Sequence, residues 1–160
     1  MNAINSIVTS LIFRSATQSD TEGIAKVYLT SRKEFVPFAA IAHSDAAVHQ
    51  WIGDILIPDH HVIVVEQNSR IIGMMVLSAT EGTGWIDQLY LHPDAVGQGI
   101  GSKLIERAKA ELGSPIRLYT FQENQGAIRF YERHGFKAIQ YSDGSENEEN
   151  CPDILYEWCV

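Results

Sequence analysis

Residues 89–104 run Leu89-Tyr90-Leu91-His92-Pro93-Asp94-Ala95-Val96-Gly97-Gln98-Gly99-Ile100-Gly101-Ser102-Lys103-Leu104, and the fold turns on how they are read. From Trp85 to His92 apolar and polar side chains alternate, the chain turns at Pro93-Asp94, and past three alternating glycines an amphipathic run extends to about Leu112. This is a strand, a glycine loop and the start of a helix. Glycines at 97, 99 and 101 leave the backbone bare, so its N–H groups can approach an anion while the following helix aims its positive end at the same point. The arrangement suits a pyrophosphate.

Two phosphate-binding signatures fail on spacing. A dinucleotide fingerprint G-x-G-x-x-G puts Ser102 or Leu104 where its last glycine belongs, and a Walker loop needs Lys directly after glycine, whereas Ser102 separates Gly101 from Lys103. A second stretch, Asn124-Gln125-Gly126-Ala127-Ile128-Arg129-Phe130-Tyr131-Glu132-Arg133-His134-Gly135-Phe136, predicts a helix. Asn124 is its N-cap, Ala127, Ile128 and Tyr131 form its apolar face, and Gly135 stops it. Val96-Gly97-Gln98-Gly99-Ile100-Gly101 resembles the acyl-coenzyme A loop [QR]-x-x-G-x-[GA] of the GCN5-related N-acetyltransferases (GNAT), with Val96 standing where that family usually has Gln or Arg. The second stretch matches the same family's N-x-x-A-x-x-F-Y-x-x-x-G-F at every fixed position. The segment Trp85 to Asp94 and the ending Ser145 to Trp158 resemble a bacterial subgroup of these enzymes.

Length and composition bound the rest. A chain of 160 residues builds one core of ordinary size and is short for two domains. With 45% hydrophobic and 20% charged residues it is of globular composition. The net charge of −8 argues against a nucleic-acid partner, and its distribution is uneven: after Lys137 there is no Lys or Arg, while Asp143, Glu146, Glu148, Glu149, Asp153 and Glu157 follow. Two cysteines, Cys151 and Cys159, form no C-x-x-C pair, and no His cluster has metal-ligand spacing, so neither a disulfide framework nor a metal is expected. No run reaches membrane-spanning length and the opening residues lack a signal-peptide pattern, so the expectation is a soluble cytoplasmic protein without a membrane partner.

In chain order, residues 1–10 are expected to be an extension, and 11–160 one domain. Leu11 to Arg14 predicts a short strand. A helix capped by Thr17, Ser19 or Asp20 follows to about Lys33, with Ile24, Val27, Tyr28 and Phe35 inward and Pro37 beyond its end. A second helix from Ser44 or Asp45 carries Val48, Trp51, Ile52, Ile55 and Leu56 at helical spacing before Pro58. His61 to Glu66 and Arg70 to Leu77 form a hairpin around Gln67-Asn68-Ser69, and Gly82-Thr83-Gly84 turns into the strand from Trp85. After the glycine-loop helix come a strand from Ile116 to Phe121, the Asn124 helix, a strand from Phe136 to Tyr141, an acidic loop and a last strand from Ile154 to Cys159. The order β-α-α-β-β-β-α-β-α-β-β implies an α/β (α+β) fold, a mixed sheet with helices on both faces. The resemblance makes it a GNAT fold, a mostly antiparallel sheet of about seven strands with about four helices.

The resemblance further implies an N-acetyltransferase that passes an acetyl group from acetyl-CoA to a primary amine of a small molecule or peptide. Acyl transfer must deprotonate the amine, stabilise the carbonyl oxygen and hold the departing thiolate. Val96, Gly97, Gln98, Gly99, Ile100, Gly101 and Ser102 are then the coenzyme anchor, with Asn124 as a second contact in addition to its capping role. Tyr131 carries the general-acid role. A backbone N–H within Leu89, Tyr90 and Leu91 is implied as the oxyanion donor, on a strand that in the family bulges and splays from its neighbour so that the pantetheine arm fills the gap. Asp87 lies where some members carry an acidic base, against a plain reading as a solvated strand residue; Glu66, His43, His92 and His134 are further candidates. Glu148, Glu149 and Asp153 are candidates to line the acceptor mouth and attract a cationic amine, Asp153 and Glu149 foremost. No Cys or Ser sits beside an activating base, so direct attack in a ternary complex is expected. A non-catalytic acyl-CoA sensor of the same fold is the alternative, favoured by Val96. A homodimer through the last strand is compatible with the pattern.

Overall fold

The computed structural model describes residues 10–160, so the expected extension over residues 1–10 lies almost wholly outside them. The elements are β1 (Ile12–Ser15), α1 (Thr21–Phe35), α2 (beginning at Asp45–Trp51), β2 (His61–Gln67), β3 (Arg70–Thr80), β4 (Thr83–Leu91), α3 (Ile100–Leu112), β5 (Ile116–Phe121), α4 (Gln125–Arg133), β6 (Lys137–Ser142) and β7 (Asp153–Trp158). Seven strands form one mixed sheet in the order β1-β2-β3-β4-β5-β7-β6, antiparallel except for β4 beside β5. The predicted order and sheet class hold.

Two helices cover each face. Ile24, Ala25 and Val27 of α1, with Val48, Ile52 and Leu56 of α2, pack on Val62, Val64, Met74 and Val76 of the central strands. On the other face Ile100, Leu104, Ile105 and Ala108 of α3 and Tyr131 of α4 pack on Met75, Leu77, Ile86, Leu118 and Tyr156. Burial of these apolar side chains is the main driving force, at about 25 cal/mol per Å².

Local chemistry explains several boundaries, and some differ from expectation. A short 3₁₀ turn, Gln18–Asp20, precedes α1: Asp20 accepts the Thr17 N–H at 2.8 Å and pairs with Arg14 at 2.8 Å, so the cap is a Thr17-to-Asp20 box and not a single residue. Phe35, expected inward, is 40% exposed at the last turn of α1. After Trp51, α2 widens into a π-helical stretch, Ile52–Leu56, and ends as Ile57–Asp59. The widened turn bonds Ile57 N–H to the Ile52 carbonyl, and Pro58, which has no N–H to place, sits inside the last turn instead of ending the helix before it. The extra residue rotates the apolar stripe, so Ile55, expected inward, is 47% exposed while Ile52 and Leu56 are buried. The turn into β4 is Glu81-Gly82, both at positive φ; Thr83 and Gly84 already pair with Thr80 and Ala79.

The register of β4 sets up the cleft. Val76 faces Gln88 and Leu77 faces Ile86, so Asp87 is an extra, unpaired residue, a β-bulge. Beyond it Leu89 and Leu91 pack with Ile86 on the α3 face, while Tyr90 packs on the α1 face. On its other edge β4 pairs with β5 only at Gly84 with Ile116 and Trp85 with Arg117. From the bulge onward the two parallel strands separate.

Candidate active site

The separation opens a cleft of about 1330 Å³ between β4 and β5. Its three parts are the glycine loop with the start of α4, the splayed strands themselves, and an outer wall made by the end of α1 and the β6–β7 loop.

At the first part Val96 is extended, Gly99 caps α3 in the left-handed region at φ 79°, and Gly97 also has a left-handed φ, of 78°. A Cβ at Gly97 or Gly99 would touch nothing within 4 Å, so these glycines serve the turn and leave open space above it. Gly101 is different, since its Cβ would lie 3.0 Å from the Phe130 ring of α4. Small size there lets the two helices close on the loop. The first N–H groups of α3 have no intrahelical acceptor and point toward the cleft, where its dipole favours negative charge. An anionic pyrophosphate fits this cradle, and an extended pantetheine arm fits the gap between the unpaired edges of β4 and β5.

Val96, Gly97, Gly99, Ile100, Gly101 and Ser102 line the cleft, as do Leu89, Tyr90, Leu91 and Asn124. Gln98 does not: its amide folds back to donate to the Asp94 carbonyl at 3.1 Å. Asn124 accepts the Ala127 N–H at 3.2 Å as the N-cap of α4. Alternate backbone groups of β4 turn away from β3, so N–H groups past the bulge face the opening.

Tyr131 stands at the centre, 9% exposed, its ring edge-on to Phe130 and Phe136. Burial raises its pKa above that of an ordinary phenol, nearby Tyr90 adds to this, and no hydrogen bond contributes. The hydroxyl therefore stays protonated and available as a donor.

The carboxylates lining the cleft are Glu34, Asp87, Glu123, Asp143, Glu146, Glu149 and Asp153, whereas Arg133, the last residue of α4, is the one Lys or Arg lining it among the described residues. Asp87 is the bulge residue. Burial among the strands lifts its pKa above the usual carboxylate value, opposed by a hydrogen bond from Ser78 and by nearby His60. Of the base candidates it alone lines the cleft. Glu66 pairs with Arg14 at 3.0 Å, His43 with Glu148 at 3.3 Å, His92 accepts the Asp94 N–H at 3.1 Å, and His134 lies behind Ser102 at 2.9 Å.

Asp153 reaches the cleft with both oxygens engaged, one by the Ser142 hydroxyl and one by Asn147 at 3.1 Å, so it ties down the acidic loop. Glu149 pairs with Arg32 at 3.4 Å. Arg32, 5% exposed, also bonds the Ala39 carbonyl at 3.1 Å and the Tyr90 hydroxyl at 3.4 Å, and lies over the Tyr28 and Phe121 rings. It pins the loop against α1 and β4. Tyr28, at this junction, has its pKa pushed up to about 12, mainly by burial. Cys151 is buried and its thiol is pushed up by burial and by Glu123, Glu149 and Asp153, which leaves it unsuited to nucleophilic attack. Sequence reasoning missed Arg32, Glu34, Glu123 and Glu146; they come from the end of α1, the turn before α4 and the β6–β7 loop, with no motif of their own. Among the described residues no group of three His, Cys, Asp or Glu could hold a metal, and no helix is long and apolar enough to cross a membrane.

Comparison with known proteins agrees with this geometry. Peptidyl-lysine N-acetyltransferase YiaC of Escherichia coli is 24% identical over 149 residues, 93% of this chain and 97% of its own. Peptidyl-lysine N-acetyltransferase YjaB of Salmonella typhimurium is 29% identical over 98 residues, covering 61% of this chain and 64% of that relative. The crystal structure of PaiA N-acetyltransferase from Thermoplasma acidophilum in complex with coenzyme A superposes with a TM-score of 0.76, at 22% identity over 94% of this chain and 99% of that one. The model of the acetyltransferase (GNAT) family matches residues 24–136, from the first turn of α1 past the end of α4, and the chain belongs to that family.

Proposed function

We propose that the protein is an acetyl-CoA-dependent N-acetyltransferase whose acceptor is a cationic primary amine of a small molecule or peptide. The observation that carries this reading is the charge polarity of one continuous cleft. Its glycine-loop end offers backbone N–H groups and Arg133, its outer end offers Glu34, Asp87, Glu123 and Glu146, and Tyr131 lies between. An anionic coenzyme and a cationic amine are thereby drawn to opposite ends of the same opening.

Acetyl-CoA supplies the activated acyl group, and this chain's residues do the rest. An alkyl ammonium near pKa ~10.4 must lose a proton before it attacks, and Asp87, a stronger base than an ordinary carboxylate, takes it directly or through one water. A backbone N–H past the bulge donates to the carbonyl oxygen as it gains charge. The Tyr131 hydroxyl donates to the departing sulfur; with a thiol near ~8.5 and this phenol held above the ordinary ~10, the hydrogen bond itself stabilises the thiolate and full transfer is not required. No covalent acyl-enzyme is needed.

Thermal unfolding with and without acetyl-CoA, followed by thiol release against a panel of diamines, amino acids and lysine peptides, tests the proposal. Ligand at about 100 times its Kd adds roughly 2.7 kcal/mol to stability. Absence of a shift would refute coenzyme binding. A shift without amine-dependent release would support the sensor reading, which Val96, exposed where the family usually offers Gln or Arg, favours.

A further inference from the structure

We propose that His134 is a positioning residue for the coenzyme pyrophosphate, acting through the Ser102 hydroxyl. This rests on the reading of the glycine-loop end as the coenzyme site. Ser102 is the third residue of α3 and lines the cleft, and its Oγ lies 2.9 Å from His134 Nε2. His134 is held at its ring and at its backbone. Its ring meets Phe130 edge-on at 4.8 Å, and Phe130 is the ring against which Gly101 closes. The His134 carbonyl accepts from Lys109 Nζ of α3 at 2.8 Å. Histidine, serine and glycine loop are thus one packed unit spanning α3 and α4.

The consequence follows from counting hydrogens. A serine hydroxyl has one. If it is given to Nε2, only oxygen lone pairs face an anion in the cleft. If Nε2 carries the proton and donates to Oγ, the hydroxyl hydrogen is free for a phosphate oxygen. A bound pyrophosphate therefore selects the states with a proton on Nε2, the imidazolium most strongly because it adds charge. The charged groups facing the ring are Lys109 and Glu106 from α3 and Arg133 from its own helix. Burial, Lys109 and Arg133 hold His134 below its ordinary pKa, against Glu106, so the empty site is neutral near pH 7. An anion opposite Ser102 pulls the other way. Binding takes up a proton, and affinity rises as pH falls through the range of His134.

The test uses the full chain and 3′-dephospho-coenzyme A, whose pyrophosphate diester has no proton equilibrium of its own in this range. Calorimetric Kd values are measured from about pH 5.5 to about pH 8 for the natural chain, His134→Gln, His134→Leu and Ser102→Ala. The natural chain is expected to bind several-fold more tightly at the acid end. His134→Gln, which keeps an N–H near Nε2, should bind with little pH dependence, and His134→Leu should lose about tenfold at the acid end. Ser102→Ala should lose the pH dependence with His134 still in place. A natural chain without that dependence, or variants at His134 and Ser102 that retain it, would overturn the inference alone. No binding by the natural chain would overturn the coenzyme site as well.

Discussion

Tyr131 and Tyr156 belong to one core, and replacing each by Phe separates catalysis from folding. The Tyr156 hydroxyl donates to Glu132 at 3.1 Å, whereas no hydrogen bond contributes to the raised pKa of Tyr131. Tyr131→Phe keeps the ring against Phe130 at 5.2 Å and Phe136 at 5.8 Å, opens no cavity and strands no partner, so its cost to folding is expected to be near zero. Its cost to the reaction is the donor at the departing sulfur. Loss of one such donor is worth about 2.7–4 kcal/mol, or about 100- to 1000-fold in kcat. Because the interaction forms in the transition state, kcat and kcat/KM should fall together while KM for acetyl-CoA changes by less than about threefold. Tyr156→Phe should do the reverse, costing about 1 kcal/mol of stability and leaving kcat intact. Urea midpoints and initial rates of thiol release at saturating amine read both. A Tyr131→Phe protein whose kcat stays within about threefold of the natural one would refute the donor role.

Three further outcomes follow from the same packing. Asp87→Asn should lower kcat/KM by about 100-fold and remove an acid limb that lies above the usual carboxylate range of ~3.9. Because folding raises this pKa, the native state binds the proton more tightly and loses stability as pH rises through that range, so Asp87→Asn should unfold no earlier than the natural chain at pH ~7. Asp20 is the opposite case: the Arg14 hydrogen bond, opposed by burial and aided by the Thr17 N–H, lowers its pKa. Its stabilisation is present above ~3.9 and lost as pH falls through the lower folded value, and urea midpoints of Asp20→Asn should show a shallower acid decline. Ile52→Ala should cost about 2–5 kcal/mol and Ile55→Ala less than about 0.5 kcal/mol, since only the first is buried. Equal midpoints for the two would contradict the rotated stripe.

The parts of the site visible in the sequence were those with local causes. Gly97 and Gly99 need positive φ, Gly113 stops α3, and Asn124 caps α4, and each requirement restricts the residue at its own position. The outer wall has no such signature. Glu34 comes from the end of α1, Glu123 from the turn before α4 and Glu146 from the β6–β7 loop, and only the topology brings them together. Arg32 was equally hidden, because a Lys/Arg pair in the last turn of a helix reads as dipole compensation until the acidic loop is seen to cover it. Gln98 shows the converse. Its place in the loop motif implied a backbone contact, and the side chain, bound to the Asp94 carbonyl, takes no part in lining the cleft.

The bulge at Asp87 joins these observations. In an unbroken strand one residue separates neighbours on a face, yet two separate Ile86 from Leu89, both on the α3 side. The added residue keeps Leu89 and Leu91 in the core while bending β4 away from β5, so the cleft opens without loss of apolar burial. It also leaves Asp87 outside the ladder, where a carboxylate can meet an acceptor, and sets Tyr90 facing Arg32 and the loop that Arg32 holds. One inserted position thus opens the gap between β4 and β5, frees the carboxylate proposed as the base and gives the β6–β7 loop an attachment through Tyr90 and Arg32. Alternation read along the sequence cannot separate this from a regular strand, because Asp87-Gln88 looks like a polar pair on a solvated edge.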